Sequence, residues 1–355
     1  MASVATPAMT RDALVERVGT LPRVPIAALP TPLEEMPRLR AALGPDVPRL
    51  FVKRDDLTGL AFGGNKVRHL EFRVADVLAK GADTMIVTNV AQSNHARLHT
   101  AVAAKFGLTN YIIKIPSKKD RPIQGNLLLD HIMGARIIEA ESDDPAIIER
   151  RLDELIARLH ADGHVPYAVP RDHFSKIAGT CAYLLAAVEI LGQLDILGAS
   201  VTHIVMASGT STAGLALAGK ALGAPYRVHP VSVGGSREMI EAQMLGYANG
   251  AAELLDLPVR LTAADLTVHD EYVGERYGVV TEAGLEALRL AARTEGLILD
   301  PVYTAKAMSG LIDQVRRGAH KAEDTVLFVH SGGLPITFAY GEEIMESLGG
   351  TARSD

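Results

Sequence analysis

Short β-rich runs alternate with helical runs along almost the whole chain, and this alternation restricts the fold more than any other feature. The runs TMIVTNV (84–90), YIIKI (111–115) and HIVMAS (203–208) each precede a segment with apolar residues at helical spacing. Strands that alternate with helices are typical of βαβ units. The sequence therefore predicts an α/β fold with mostly parallel sheets and helices on both faces. Four more runs show the same pattern: ARIIEA (135–140), VPYAVP (165–170), YRVHPVSVG (226–234) and TVLFVHSGG (325–333).

The number of predicted strands bears on how the chain is organised. Seven or more strands favour two open twisted sheets with a cleft between them over a single sheet. In parallel sheets, ligands bind beyond the carboxyl ends of the strands. Polar residues that directly follow a strand are therefore the first candidates for a site. No Pro- or Ser-rich linker in the sequence marks where one half ends and the other begins.

Composition excludes several classes of function. The 355 residues are 48% hydrophobic and carry a formal net charge of −6 without a basic stripe, so we expect an ordinary core and no nucleic-acid partner. Cys181 is the single cysteine, which excludes an intrachain disulfide and a multi-cysteine metal site, and we expect no metal. Residues 1–19 have no apolar leader, and no apolar stretch approaches the ~20 residues of a membrane span. We expect a cytoplasmic protein.

A pair of glycines precedes a single lysine in FGGNKVRH (62–69). Glycine allows the backbone to approach another group closely, because it has no side chain and adopts positive φ without strain. In that case the amine of Lys66 is the chemical partner of whatever lies there. The alternative is a surface turn with a solvated lysine.

The run SGTSTAG (208–214) follows an apolar strand and opens a helix. Glycines, threonines and serines at that position present hydroxyls and unpaired backbone N–H groups, which suit a phosphate monoester. The run lacks the Gly-Lys-Ser/Thr of a Walker loop and is not GxGxxG. The alternative is an ordinary N-cap made of small residues.

Three further runs place polar residues at strand ends or helix starts: AQSNHARLHT (91–100), ILDPVYTAKAMSG (298–310) and LFVHSGGLP (327–335). The first offers a hydroxyl, an amide and an imidazole, the second places Tyr303 at a helix start, and the third places Ser331 at the carboxyl end of a strand. Each has a plain structural alternative: helix capping, a packed tyrosine and a tight turn. A lysine together with a phosphate cradle suggests pyridoxal 5′-phosphate as cofactor, with Lys66 forming the Schiff base.

Five ordered motifs carry a resemblance to a known family. The run LFVKRDDLTGLAFGGNKVRHLEF is followed in order by QSNHAR, SGTSTAG, DPVYTAKAM and FVHSGGLP. This arrangement resembles the D-cysteine desulfhydrase and 1-aminocyclopropane-1-carboxylate (ACC) deaminase family, a branch of the fold-type-II, tryptophan-synthase-β-like enzymes. L-cysteate sulfo-lyases look like close relatives. The likeness runs from about residue 21 to the last helix.

The resemblance implies a role for each matching residue. Lys66 takes the place of the Schiff-base lysine, and Asn65 lies against the cofactor. Asn94 bonds the 3′-hydroxyl of pyridoxal phosphate, and Ser93 touches the substrate and moves its proton. The remaining implied residues are Gln92 and His95 on the substrate wall; Gly209, Thr210, Ser211 and Thr212 around the phosphate; Tyr303 and Tyr277 as active-site tyrosines; and Thr304 and Ser331 near the pyridine nitrogen.

The sequence departs from the family pattern at several places around the pocket. Asn89-Val90-Ala91 replaces glycines before QSN, His69 stands where a lysine is often found, and Ala305 replaces a glycine. Glu275 and Arg276 precede Tyr277 in YVGERYG. The resemblance therefore implies the cofactor more firmly than it implies any particular substrate.

The segment PRDHFS (170–175) replaces a glycine-rich loop that shapes the family's pocket. One interpretation is a solvated surface loop. The other is selection of a charged substrate, in which Arg171 binds an anionic side chain and His173 contributes an imidazole. The sequence alone does not decide between them.

The resemblance also implies domains, assembly and reaction. We expect a large cofactor-binding domain from residues 1–79 and 178–355, a small domain from 80–177, and a homodimer. We expect a lyase or deaminase that removes the α-proton of a small amino acid and eliminates a β-substituent, giving a 2-oxo acid and ammonia. The alternatives are ACC deaminase-like ring opening, for which Thr304 replaces the usual glutamate, and racemisation or β-replacement in a biosynthetic pathway. A non-catalytic binding protein of the same fold is a further alternative.

Overall fold

A computed structural model describes residues 8–116 and 122–349 of the chain. It contains two sheets, which confirms the predicted α/β fold with two mostly parallel sheets and helices on both faces. The strands are β1 Leu33–Glu35, β2 Arg49–Lys53, β3 Thr84–Val90, β4 Thr109–Ile115, β5 Arg136–Glu139, β6 Pro166–Ala168, β7 His203–Ala207, β8 Arg227–Val231 and β9 Thr325–Val329. The helices are α1 Arg11–Gly19, α2 Pro37–Leu43, α3 Lys66–Ala79, α4 Asn94–Phe106, α5 Gly125–Ile132, α6 Pro145–Ala161, α7 His173–Ile196, α8 Thr210–Leu222, α9 Arg237–Leu254, α10 Glu282–Glu295, α11 Thr304–Arg316, α12 Leu334–Ala339 and α13 Gly341–Ser347.

The larger sheet has the strand order β1-β2-β9-β7-β8, and the smaller has the order β5-β4-β3-β6. Every pairing is parallel except that of β1 with β2, which is antiparallel. Because parallel strands share one carboxyl edge, the loops after β3 and β7 each begin at the edge where ligands bind in such sheets.

Both faces of the larger sheet are buried, which explains why its strands read as continuous apolar runs. Phe51 and Leu327 point into a core shared with α7, α8 and α9. Their neighbours Leu50 and Phe328 point the other way, into a core shared with α10 and α11. This alternation follows from the period of two along a strand.

The longest helix, α7, has 24 residues and is long and apolar enough to cross a membrane by length and composition alone. The expectation that no stretch approaches that length was therefore wrong. In the fold, 72% of its apolar window is buried, and it packs along α8, α3 and α9. Cys181 lies in its middle, fully buried, and burial raises the pKa of the thiol to about 12.

The strands fall on either side of the predicted domain division. All four strands of the smaller sheet lie within residues 80–177, and the five strands of the larger sheet lie outside that range. The predicted boundary after residue 177 falls inside α7, which begins at His173. The outermost ends of the predicted large domain, residues 1–7 and 350–355, lie outside the described residues. The division remains a prediction.

A buried cluster of charges joins β2, α3 and α7 beneath the site. Arg68 lies 2.9 Å from carboxylate oxygens of both Asp55 and Glu189, and Lys53 lies 2.6 Å from Glu189. Tyr183 donates a further hydrogen bond to Asp55. Buried charges persist in a fold only when they are paired in this way.

Candidate active site

A cavity of about 480 Å³ lies where the carboxyl ends of β3 and β7 meet the amino ends of α3, α4 and α8. It is lined by polar side chains from both halves of the chain, so it is the cleft that the sequence predicted. Of the predicted site residues, seven line it: Asn65, Lys66, Ser93, His95, Thr210, Ser211 and Tyr303, together with the backbone of Gly209.

Lys66 is the first residue of α3, and its side chain enters the cavity. Its Nζ lies 5.8 Å from the centroid of the Tyr303 ring. Burial and the nearby charge of Arg97 lower the pKa of the Lys66 amine to about 8, although Asp300 acts in the opposite direction. About a tenth of this amine is therefore neutral at pH 7, far more than for an unperturbed lysine, and the neutral form is the one that attacks carbonyl groups and accepts protons.

The two glycines before this lysine serve a close contact between two stretches of backbone. Gly63 has φ +62°, and a Cβ there would lie 2.2 Å from the carbonyl oxygen of Asp56. Gly64 packs against the loop after β9, where a Cβ on Gly332 would lie 2.7 Å from the Gly64 Cα. The amide of Asn65 donates to the carbonyl of Ser331. The two glycines thus allow the turn just before Lys66 to pack directly against the backbone that follows β9.

The amino end of α8 faces the same cavity as Lys66. Its first-turn amides have no acceptor within the helix, and the helix dipole places partial positive charge there. Gly209, at φ +151°, has open space where a Cβ would stand. Thr212 does not reach the cavity, because its hydroxyl bonds both the amide and the carbonyl of Gly209 and so holds the turn open.

Ser211 connects this helix end to α3. Its Oγ accepts a hydrogen bond from Asn65 Nδ2 at 2.9 Å and lies 2.9 Å from His69 Nε2. A serine hydroxyl both donates and accepts, so this contact joins Ser211 to the ring of His69 in either tautomer. Burial, followed by the charge of Lys66, holds the pKa of His69 well below its usual value, in agreement with a neutral ring.

Ser93 caps α4, and its hydroxyl accepts from the amides of His95 and Ala96 at 3.2 and 3.1 Å. Because the hydroxyl oxygen is the acceptor in both bonds, the hydroxyl proton of Ser93 is left to donate to a group in the cavity. Asn94 and Gln92 lie outside the lining. Asn94 Oδ1 accepts from Asn126, and Gln92 binds the backbone at the start of α5.

Tyr303 enters the cavity, and its hydroxyl is bonded to that of Tyr277. Burial, followed by the neighbouring tyrosine, raises the pKa of Tyr303 well above its usual value, so this phenol stays protonated. The backbone that carries it is fixed by Asp300, whose carboxylate accepts from the amides of Val302, Tyr303 and Thr304.

Thr304 and Ser331, which the resemblance places near the cofactor, are not among the residues that line the cavity. Thr304 is buried, and its hydroxyl is bonded to Asp300 at 2.8 Å. Ser331 contributes a backbone carbonyl to the Lys66 turn. Their predicted contact with a pyridine nitrogen therefore remains a prediction.

Arg171 and His173 lie outside the lining of the cavity, and their substrate role remains a prediction. Arg171 is exposed and lies 2.6 Å from Glu149 and 2.7 Å from Asp153 on α6. His173 is exposed at the start of α7. Local carboxylates satisfy the guanidinium, so this part of the segment is the solvated loop of the first interpretation. The cavity is instead lined by its neighbours Pro170, Ser175 and Lys176.

Several lining residues were missed by the sequence analysis, above all Arg73. It is buried, donates to Ser175 at 3.0 Å and lies 2.8 Å from His99. Lys66, His69 and Arg73 follow one another at spacings of three and four along α3, so helical periodicity was the available signal. The other missed lining residues with polar side chains are Thr88, Asn89, Lys176, Gln243 and Tyr247.

The residues present fit pyridoxal phosphate. The amine of Lys66, with its lowered pKa, lines the same cavity as the amino end of α8, which starts at a glycine. Pyridoxal phosphate carries an aldehyde and a phosphate on one small molecule, and these two groups need such an amine and such a helix end. Lys66 would hold the aldehyde carbon, and Gly209, Thr210 and Ser211 would hold the phosphate.

Comparisons with known proteins agree with this interpretation. The sequence model of the family described as "Pyridoxal-phosphate dependent enzyme" matches residues 24–332. The chain is 38% identical over 334 residues to a D-cysteine desulfhydrase of Klebsiella pneumoniae (strain 342), covering 92% of this chain and 98% of that one. A D-cysteine desulfhydrase of a second strain of K. pneumoniae, subsp. pneumoniae (strain ATCC 700721 / MGH 78578), matches with the same identity and coverage over 333 residues. A solved structure described as an ACC deaminase homologue superposes with a TM-score of 0.84 at 32% identity, covering 94% of this chain and 99% of that one.

Proposed function

Because the chain belongs to the pyridoxal-phosphate dependent enzymes, we propose that it is a lyase or deaminase of small amino acids. The reaction is removal of the α-proton and elimination of a β-substituent, with a 2-oxo acid and ammonia as final products. D-cysteine desulfhydrase relatives at 38% identity support this reaction type. The observation that carries the proposal is the Lys66 amine on the same cavity as the open amino end of α8.

When bound, pyridoxal phosphate supplies an electron sink for the pair left at the α-carbon. Lys66 has the properties of the base that creates this pair. Its amine lies inside the cavity with a pKa of about 8, so it accepts a proton near neutral pH and returns it later.

Ser93 and Tyr303 provide the other proton positions. The Ser93 hydroxyl already accepts two amide hydrogen bonds, so its own proton is directed to a partner in the cavity. Tyr303 stays protonated because burial raises its pKa, which makes it an acid for the leaving group, and Tyr277 orients its hydroxyl. Each such group contributes roughly 10²–10⁴-fold to a rate.

Ring opening of a cyclopropane amino acid is the second candidate, supported by the 32% identity to an ACC deaminase homologue. That reaction needs an acid for a leaving carbon, and the Tyr303–Tyr277 pair offers one. Thr304 stands where the family pattern has a glutamate, and its hydroxyl is bonded to Asp300. This difference favours β-elimination.

The remaining predictions are kept as part of the proposal. The partner is a small amino acid, the protein acts in the cytoplasm, and it forms a homodimer. Sedimentation analysis of the purified protein would test the assembly, and a monomer at micromolar concentration would contradict it.

The test of the cofactor site is reduction with borohydride followed by peptide mass spectrometry. We expect a pyridoxyl group on Lys66 in the wild-type protein and none in Lys66→Ala. Lys176→Ala is the matched control, because Lys176 also lines the cavity, and it should leave the labelling of Lys66 unchanged. A label on Lys176, or none, would refute the assignment.

The test of the reaction is a panel of D- and L-amino acids with β-leaving groups, together with the cyclopropane substrate. Formation of a 2-oxo acid from the β-substituted members supports elimination, and formation from the cyclic member supports the second candidate. If Lys66 is labelled in the first test but the unreduced protein converts neither kind of substrate, the proposed reaction is contradicted and the cofactor site is not.

A further inference from the structure

Four histidines lie against one another on the larger sheet, away from the cavity. His203 begins β7, His229 lies in β8, and His320 follows α11, with ring centroids 5.0 Å apart for His203 and His229 and 4.5 Å apart for His203 and His320. His269 stacks on His229 from the segment beside β8. Asp324, just before β9, completes the group at its amino-terminal edge.

Three of these rings form a directed chain of hydrogen bonds. His269 Nδ1 lies 3.2 Å from a carboxylate oxygen of Glu271, which can only accept, so the proton of His269 is on Nδ1. Its bare Nε2 then accepts from His229 Nδ1 at 3.1 Å, and His229 Nε2 accepts from His203 Nδ1 at 2.9 Å. With one proton on each ring, the Nε2 atom of His203 carries a lone pair.

Two further acceptors face this lone pair. His203 Nε2 lies 3.6 Å from Asp324 Oδ2. His320 Nε2 lies 3.0 Å from Gln314 Oε1, which can only accept, so Nε2 carries the ring proton. The other ring nitrogen, Nδ1, then carries a lone pair. That Nδ1 atom is buried and has no hydrogen-bond partner among residues 8–116 and 122–349. Asp324 Oδ2 also accepts from the backbone amide of Lys321 at 2.7 Å, which leaves a second lone pair on this oxygen. One ligand atom from each of His203, His320 and Asp324 lies within 4.8 Å of the other two.

We propose that His203 Nε2, His320 Nδ1 and Asp324 Oδ2 bind a divalent transition-metal ion, with Zn²⁺ as the best fit. Imidazole nitrogens and one carboxylate oxygen are ligands that zinc takes in tetrahedral sites, with a water in the fourth position. The hydrogen bond from His203 to His229 is the second partner that metal-bound histidines characteristically have.

The spacing of the three atoms allows such a site. Two ligand atoms at about 2.0–2.1 Å from one tetrahedral ion are about 3.4 Å apart. The 3.6 Å between His203 and Asp324 already matches this value. The widest separation, at most 4.8 Å, needs to shorten by up to about 1.4 Å when the ion binds.

The proposed metal site is separate from the cofactor cavity. His203 and Ala207 are the two ends of β7, and Ala207 lines the cavity. Four steps at about 3.3 Å per residue put them roughly 13 Å apart. The ion therefore connects the start of β7 to the segment before β9, and its effect is on stability. The sequence analysis expected no metal, because the only local signal is the His320–Asp324 spacing.

The test is calorimetric titration of the purified holoenzyme with zinc chloride, after chelator treatment and dialysis. We expect one equivalent of Zn²⁺ per chain and a rise in Tm when it binds. His203→Ala and Asp324→Asn should each weaken binding by about 100-fold or more. His164→Ala is the matched control, because His164 is also bonded to a carboxylate, that of Asp83 at 3.0 Å, and it should bind as the wild type does.

Zinc X-ray absorption of the wild-type protein gives a readout that does not depend on whether a variant folds. A shell with two imidazole nitrogens and further oxygen ligands supports the site. No uptake by the wild type, uptake that the substitutions leave unchanged, or a shell without two imidazoles would each overturn the proposal.

Discussion

The pKa of Lys66 makes reaction with the cofactor depend on pH in a defined way. Burial and Arg97 lower this pKa to about 8 from the usual 10.5, and only the neutral amine attacks an aldehyde. We expect the rate at which cofactor-free protein takes up pyridoxal phosphate to rise about tenfold per pH unit below 8 and to level off above it. Stopped-flow absorbance measures this rate. A rise that continues to pH 10 would show that the amine is not perturbed.

Ser93 combines two roles that substitution separates. Ser93→Ala removes a hydroxyl that caps α4 and faces the cavity, so we expect a loss of about 1 kcal/mol in the free energy of unfolding. We also expect kcat to fall by roughly 10²-fold or more with the cofactor still bound. Ser93→Thr keeps a capping hydroxyl and should retain most of both properties. Full activity in the alanine variant would remove Ser93 from the mechanism.

At the scale of single residues, the sequence predicted the side chains whose chemistry is explicit in a short motif. Lys66, Ser93, Ser211 and Tyr303 all line one cavity, as expected. The substrate role of Arg171 stays a prediction. A sequence does not show that α6 presents two carboxylates to this guanidinium. Gln243 and Tyr247 were missed because α9 reaches the cavity through its packing on α7 and α8, which a sequence pattern does not show.

At the scale of elements, the turn before α3 makes a sharp prediction about glycine. Gly63→Ala combines positive φ with a Cβ 2.2 Å from a carbonyl oxygen, and we expect a loss of more than about 3 kcal/mol in stability. Gly81→Ala is the matched control, because Gly81 has φ +64° but open space around a Cβ, and it should lose about 1 kcal/mol. Denaturant unfolding measures both. Equal losses would mean that the close backbone contact does not matter.

The loop before α7 gives the opposite expectation. Arg171 forms exposed ion pairs with two residues of α6, which are worth roughly 0–1 kcal/mol. Arg171→Ala should therefore leave KM and kcat within about twofold for anionic and neutral substrates alike, when steady-state rates are compared. A selective rise in KM for anionic substrates would restore the binding role inferred from sequence.

The strands show which elements a sequence pattern can predict. The seven predicted strands are present, and most of them are buried apolar runs between turns, although β5 has exposed residues at both ends. β1 and β2 were missed. β1 is a three-residue, partly exposed edge strand, and the apolar part of β2 is only three residues long. β1 pairs only with β2, and β2 in turn pairs with β9, which lies far away in sequence.

At the scale of the whole molecule, the buried charges around Arg68 connect elements from three parts of the chain. Removing one partner leaves uncompensated charge in the interior, so Arg68→Met should cost about 3–5 kcal/mol at pH 7. Arg316→Met is the matched control, because the exposed pair of Arg316 with Glu286 is worth roughly 0–1 kcal/mol. Urea unfolding compares the two losses.

The stability cost of Arg68→Met should also depend on pH, because Arg68 is paired with two carboxylates. Burial alone would raise the pKa values of Asp55 and Glu189, but Arg68 outweighs it and holds both below their usual 3.8 and 4.5. Carboxyls of lowered pKa stabilise the fold above those values and lose this contribution as pH falls below them. The cost of Arg68→Met should therefore shrink below pH 4. If the cost of Arg68→Met stays the same below pH 4, it does not come from the pairing of Arg68 with the two carboxylates.

The architecture as a whole was predictable because alternating strands and helices admit few arrangements. The pairing of charges was not, since Lys53 and Glu189 are 136 positions apart and neither stands in a recognisable pattern. The histidine cluster was missed for the same reason: its members come from β7, β8 and the segment before β9.

The position of the single cysteine has a practical consequence for assays. Cys181 is fully buried in α7, and burial raises the pKa of its thiol to about 12, so the thiol is protonated near neutral pH. Alkylating dyes added to a reaction would therefore capture small sulfur nucleophiles released into solution and leave the polypeptide unmarked. A thiol that such a dye detects during an assay therefore comes from a small molecule and not from the protein.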